Sequence, residues 1–185
     1  CPHCRQASLI LDTLLESTPR DLRLVFRHFP LSQIHPHAQQ AAQAAEAAGA
    51  QGRFWEMHEL LFENQHALDE ADLSEYAAQI GLDLPRFVRE LTSGTFKDRV
   101  REDFLSGVAS GVNGTPTFFI DDVRYDGPWD LESLGRLIRA SAERRADRGP
   151  SPGSLESRLI SRSISGPAEA AKSELQAGDA HAGQR

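Results

Sequence analysis

Cys1-Pro2-His3-Cys4 holds both cysteines of the 185-residue chain. Two thiols three residues apart can exchange a disulfide with another molecule, supply half of a zinc site, or sit together without chemistry. The ring they close is too small to restrict the unfolded chain much, so their use is chemical rather than structural. Zinc needs four ligands, commonly a second cysteine pair or two suitably spaced histidines. Here there is one pair, His35 and His37 flank Pro36 at a spacing unlike that of zinc fingers, and His58 opens HELLF without the second histidine of H-E-x-x-H. No metal is expected. An incidental pair leaves the helical pattern directly behind it unexplained.

Redox exchange accounts for more. A sulfur at a helix N-terminus faces unpaired backbone N–H groups and the positive end of the helix dipole. Pro2 suits the first turn, where a missing N–H costs nothing. His3, protonated or donating a hydrogen bond, would tune the sulfur further. In such settings a cysteine pKa falls from about 8.5 toward 3.5–7.5. Cys1 is then the attacking sulfur. Cys4, about one turn further in, resolves the mixed disulfide, and a comfortable thiolate makes the disulfide oxidising.

These residues need a scaffold. RQASLILDTLLEST carries Leu9, Ile10, Leu11, Leu14 and Leu15 at helical spacing, and LRLVFRHF reads as a short, largely buried strand. A helical block follows. An Ala-rich helix ends at Gly49, a second runs from about Gly52 to Asn64 on Phe54, Trp55, Leu61 and Phe62, and two short ones stop at Gly81 and Gly94, the latter with Pro85 in its first turn. A longer helix places Phe96, Val100, Phe104 and Val108 in one i, i+4 row, read as core. Then TFFI, the turn Asp121-Asp122 and VRY form a hairpin, and a final helix begins after Asp130 as N-cap with Ser133 in its first turn. His28 reads as a satisfied core histidine; Trp55, Met57 and His58 read as packing. His35, Pro36 and His37 open a helix, with a role at the substrate surface open to them. Trp129 is placed as a shield for the last helix. Past about residue 147 the composition turns to Ser, Gly, Ala and Pro, too poor in apolar residues to offset an ordering cost of roughly 1–2 kcal/mol per residue.

Composition excludes some functions. With 39% hydrophobic and 25% charged residues and a formal net charge of −7, the chain fits a globular protein and not a nucleic-acid binder. No apolar stretch approaches the roughly 18 residues of a membrane span, so no stable insertion is expected. A chain opening on cysteine rather than methionine is expected to be a mature product or a fragment.

CPHC at a helix start, a helical insertion and GTPTFFI with its hairpin together resemble the DsbA-like thiol:disulfide oxidoreductases of the thioredoxin superfamily. FRHFPL, HPHA, GRFWEMHELLF and VNGTPTFFI strengthen the likeness, which covers roughly residues 1–142. It implies an α/β thioredoxin-like fold over residues 1–146 with a helical insertion at about 35–111, while the composition of 147–185 predicts a disordered tail. It also implies that Thr115-Pro116 is a cis bond beside the sulfurs, where Thr115 backbone groups pair with a substrate strand. In the family a hydrophobic central strand precedes the first cysteine. It is absent here, so the sheet is expected to lack that strand, and truncation is the favoured reason.

The expected function is disulfide exchange with protein or small-thiol substrates, and a redox partner would regenerate the site. No cofactor beyond a Cys1–Cys4 disulfide is called for. A non-catalytic redox-sensing or partner-binding module is the alternative. The compartment follows the direction: extracytoplasmic for an oxidase, cytoplasmic for a reductase.

Overall fold

The computed structural model describes residues 1–17, 22–148 and 161–162. Helix α1, Pro2–Ser17, begins on the Cys1–Cys4 stretch with proline at its first position, where no N–H is missed. It buries Ala7, Leu14 and Leu15 against the last helix, α7 (Leu131–Arg148), and against α3 of the insertion. Leu9 departs from the expected apolar face and stays 60% exposed.

Between these elements lie β1 (Leu24–Val25), α2 (Ala38–Gly49), α3 (Phe54–Glu63), α4 (Glu70–Gln79), α5 (Leu84–Ser93) and α6 (Lys97–Ala109). Local chemistry sets their ends. Asp69 and Asp72 form a reciprocal capping box at the start of α4. Asp83 accepts the Arg86 N–H at the start of α5, Pro85 sits in its first turn, and Gly94 closes it at φ 66°. That left-handed closure strains any residue with a Cβ, hence the glycine.

The main core lies within this insertion. Ala44, Ala45, Ala47 and Ala48 of α2 are small enough for close helix approach, and they pack with Phe54, Met57, Leu73, Phe87 and Leu91. Phe87 is fully buried, worth about 2–3 kcal/mol relative to exposure. Met57 and His58 are packing residues, as expected. The i, i+4 row on α6 is only partly core. Val100 is buried, but Val108 is 50% exposed and the neighbouring Asp103 is 2% exposed in the interior. Phe104 is half-buried and stacks on Phe29, ring centroids 4.5 Å apart.

The strands are short. β2 (Phe118–Ile120) and β3 (Val123–Tyr125) pair antiparallel with Phe118 opposite Tyr125. Asp121 and Asp122 turn the chain at φ 50° and 65°, the doubly left-handed turn that suits a two-residue hairpin. The expected buried strand LRLVFRHF is reduced to half-buried Leu24–Val25, which pairs antiparallel with β4 (Ser161–Arg162). That pairing was not legible in the sequence; the remainder of the expected tail lies outside the described residues. The two ladders are separate, with no strand between them among the described residues. A two-residue strand reflects that setting: with one neighbour, little backbone is held extended. No described helix is long and apolar enough to cross a membrane.

Candidate active site

The N-terminus of α1 and the loop before β2 converge. Cys1 precedes the first helical residue, and its carbonyl accepts the N–H groups of Cys4 (3.1 Å) and Arg5 (3.3 Å), starting the helix at the sulfur itself. Its Sγ lies 3.8 Å from the Thr115 carbonyl oxygen. Cys4 Sγ lies 3.2 Å from Thr115 Oγ1. Both cysteines are free thiols, partly buried. The Thr115–Pro116 peptide bond is cis, and Thr117 Oγ1 donates to the Gly114 carbonyl at 2.8 Å, bracing the loop. One threonine from more than a hundred residues away thus faces both sulfurs.

The remaining candidates divide. Pro2 lines a cleft beside Cys1. His3 is exposed and makes no hydrogen bond to a described residue, so nothing fixes its ring on the sulfur. His35 lines the same cleft as Cys1, while His37 sits at the N-cap position of α2 without a side-chain cap bond. The Trp129 ring lies 6.3 Å from that of Phe118, in a hollow of about 390 Å³ that Thr115 and Pro116 also line.

Sequence reasoning missed Gln65 and Arg5. Gln65 Nε2 donates to the Cys1 carbonyl at 3.0 Å, tying the loop after α3 to the first cysteine. Nothing in its local sequence marks it. Arg5 lines the cleft with Cys1 and Leu9, and here a signal was available: positions 1, 5 and 9 share one helix face.

A second polar cluster underlies the strand. His28 Nε2 and Glu46 Oε1 are 3.1 Å apart, both buried. Asp103 accepts the His28 backbone N–H at 3.1 Å and, on its other oxygen, Arg27 and Arg99 at 2.7 Å each. His28, Glu46 and Asp103 bring ligand-type atoms within 4.8 Å of one another. Their chemistry fits a cation poorly, because two guanidinium groups and a backbone N–H already engage the aspartate and add positive charge. The cluster is satisfied structure, and His28 is the core histidine its setting predicted.

Comparison with known proteins places the fold. The family described as Thioredoxin matches residues 1–140. A Na(+)/H(+) antiporter NhaA 3 of Salinispora tropica is 43% identical over 156 residues, covering 82% of this chain and 24% of that protein. A Na(+)/H(+) antiporter NhaA of Herminiimonas arsenicoxydans is 42% identical over 141 residues, 76% of this chain and 22% of that one. The chain therefore spans about a quarter of the length of these curated relatives. A thioredoxin-like oxidoreductase from Silicibacter pomeroyi superposes with a TM-score of 0.66 at 26% identity, over 81% of this chain and 82% of that one. The fold of oxidoreductase DsbA from Xylella fastidiosa superposes at 0.58 with 22% identity, over 80% and 82%. With 140 of its 185 residues matched, the chain belongs to the thioredoxin family and carries a thioredoxin-like fold with a helical insertion.

Proposed function

We propose that the chain is a thiol:disulfide oxidoreductase acting on protein or small-thiol substrates through Cys1 and Cys4. The observation that carries this reading is the convergence of both sulfurs on Thr115 at the start of α1. Cys1 thiolate attacks a substrate disulfide, forming a mixed disulfide and releasing one substrate thiolate. Cys4 thiolate then attacks Cys1 Sγ, releasing the second substrate thiolate and leaving a Cys1–Cys4 disulfide. In the oxidising direction the same bonds form and break in reverse order, and a partner takes the two electrons from the reduced pair. Thr115 offers backbone groups for an extended substrate, next to the attacked sulfur. Pro2 and His3 tune the helix start, His3 from an exposed position. Electrons pass directly between sulfurs, and no further cofactor enters these steps.

The similar solved structure described as a thioredoxin-like oxidoreductase supports this class of activity. The test is Cys1→Ser, assayed by insulin reduction with dithiothreitol and by refolding of a scrambled disulfide protein. Loss of both activities is expected. Activity equal to the parent chain would end the reading.

A second reading has one observation in its favour: the relatives matched over three quarters of this chain are named Na(+)/H(+) antiporters. In it the pair reports redox state to a membrane transporter instead of turning over substrates. Oxidised and reduced chains that differ in binding to such an antiporter, yet leave insulin untouched, would favour this second role.

A further inference from the structure

The cleft beside Cys1 is not used by the steps above. It measures about 590 Å³ and runs between α1 and the loop after α3, within the size range of small-molecule and peptide subsites. Arg5 and Leu9 form one wall, His35 and His66 contribute imidazoles, and Glu63 is the single carboxylate among its described lining residues. Arg5 is exposed and pairs with no described carboxylate. The chain as a whole is formally −7 with its histidines counted neutral; by the same count this lining is balanced, one arginine against one carboxylate, and its two imidazoles add hydrogen-bonding groups.

Register makes the arrangement useful. Arg5 lies one helical turn beyond Cys1 on the same face, about 6 Å along the axis. Residues next to a reacting cysteine are about 3.8 Å away along an extended chain, and an acidic side chain spans the remainder. Gln65, held on the Cys1 carbonyl, fixes the facing loop at hydrogen-bond distance from the helix start. The Thr115 side of Cys1 is left for the substrate backbone, and the cleft receives a flanking side chain.

We propose that this cleft is a specificity subsite for a carboxylate beside the reacting cysteine of the substrate polypeptide, with Arg5 as its principal cation and His35 and His66 as neutral or cationic donors. The proposal rests on the disulfide-exchange reading and adds a substrate class to it. Glu63 opposes an acidic occupant, so its removal should sharpen the preference.

The test measures second-order rates of mixed-disulfide formation with three peptides whose activated cysteine is flanked by Glu, Gln or Lys. For the parent chain the Glu peptide should outpace the Lys peptide roughly fivefold, the scale of an exposed charge pair. Arg5→Glu should abolish or invert that order, and Glu63→Gln should widen it. Taking the ratio between peptides cancels any change in the reactivity of the thiol itself. The subsite is overturned if the Lys peptide reacts faster with the parent chain, or if the ratio survives Arg5→Glu unchanged. Exchange with all three peptides at one rate removes the subsite alone. Exchange with none removes the redox reading, and the subsite with it.

Discussion

Thr115→Val isolates the contact between the two halves of the site. Valine keeps the branched shape and the backbone carbonyl 3.8 Å from Cys1 Sγ, but it deletes the hydroxyl 3.2 Å from Cys4 Sγ. That hydroxyl bonds best to Cys4 as a free thiol or thiolate; once the sulfur is tied in a disulfide it is a weaker partner. The bond therefore weights the reduced state. A partly buried hydrogen bond of this kind is worth about 1 kcal/mol net. At 30 mV per 1.4 kcal/mol for a two-electron couple, its loss should move the reduction potential about 20 mV more negative, roughly a fivefold change in the equilibrium constant. Equilibration in graded glutathione buffers, followed by thiol trapping and mass measurement, reads this directly. A potential that stays where it was, or one that moves positive, refutes the argument that Thr115 holds the reduced pair.

Three predictions concern the scaffold. Asp103→Asn removes the charge that two arginines share at 2.7 Å; because Arg27 and Arg99 regain water, the cost should be about 3 kcal/mol, a fall in Tm of roughly 6–12 °C by circular dichroism. Gly107→Ala sets a Cβ 2.8 Å from the Phe29 ring, which stacks on Phe104. Overpacking of about 1–3 kcal/mol should outweigh a helix-propensity gain of up to ~1 kcal/mol, so denaturant melts should show net destabilisation. The Asp130 carboxyl sits below its ordinary 3.8 because it accepts the Ser133 backbone N–H and then its hydroxyl. A depressed folded value contributes stability above pH 3.8 that is lost as the pH falls through the folded value. Asp130→Asn, which still caps, should flatten the acid limb of an unfolding-against-pH curve while leaving neutral stability nearly intact.

Much of this was legible because local chemistry and tertiary structure agree. Gly49, Gly81 and Gly94 end helices where their spacing predicts, Pro85 begins one, and Asp121-Asp122 forms the hairpin turn. The cysteine pair is read from four adjacent residues, and the cis Thr115-Pro116 bond beside it from the family resemblance of GTPTFFI. What stayed hidden depends on packing between distant segments. The row on α6 predicted Val108 as core, yet burial falls on Asp103, because Arg27, Arg99 and the His28 backbone supply the hydrogen bonds that make an interior carboxylate tolerable. Gln65 reaches Cys1 only after a helical turn and a loop are in place. Leu9 fits an apolar periodicity but faces the cleft, since α1 is covered by α7 and α3 on its other sides. The pairing of Leu24–Val25 with Ser161–Arg162 joins segments more than a hundred residues apart, with no strand grammar at the second.

The central claim is that the helix start holds the Cys1 sulfur as a reactive anion beside Thr115. Alkylation of Cys1 by iodoacetamide across a pH series, in a Cys4→Ser chain verified as folded, tests it most directly. The rate should rise with a midpoint well below the ordinary cysteine value of about 8.5. A midpoint at or above that value would contradict the account.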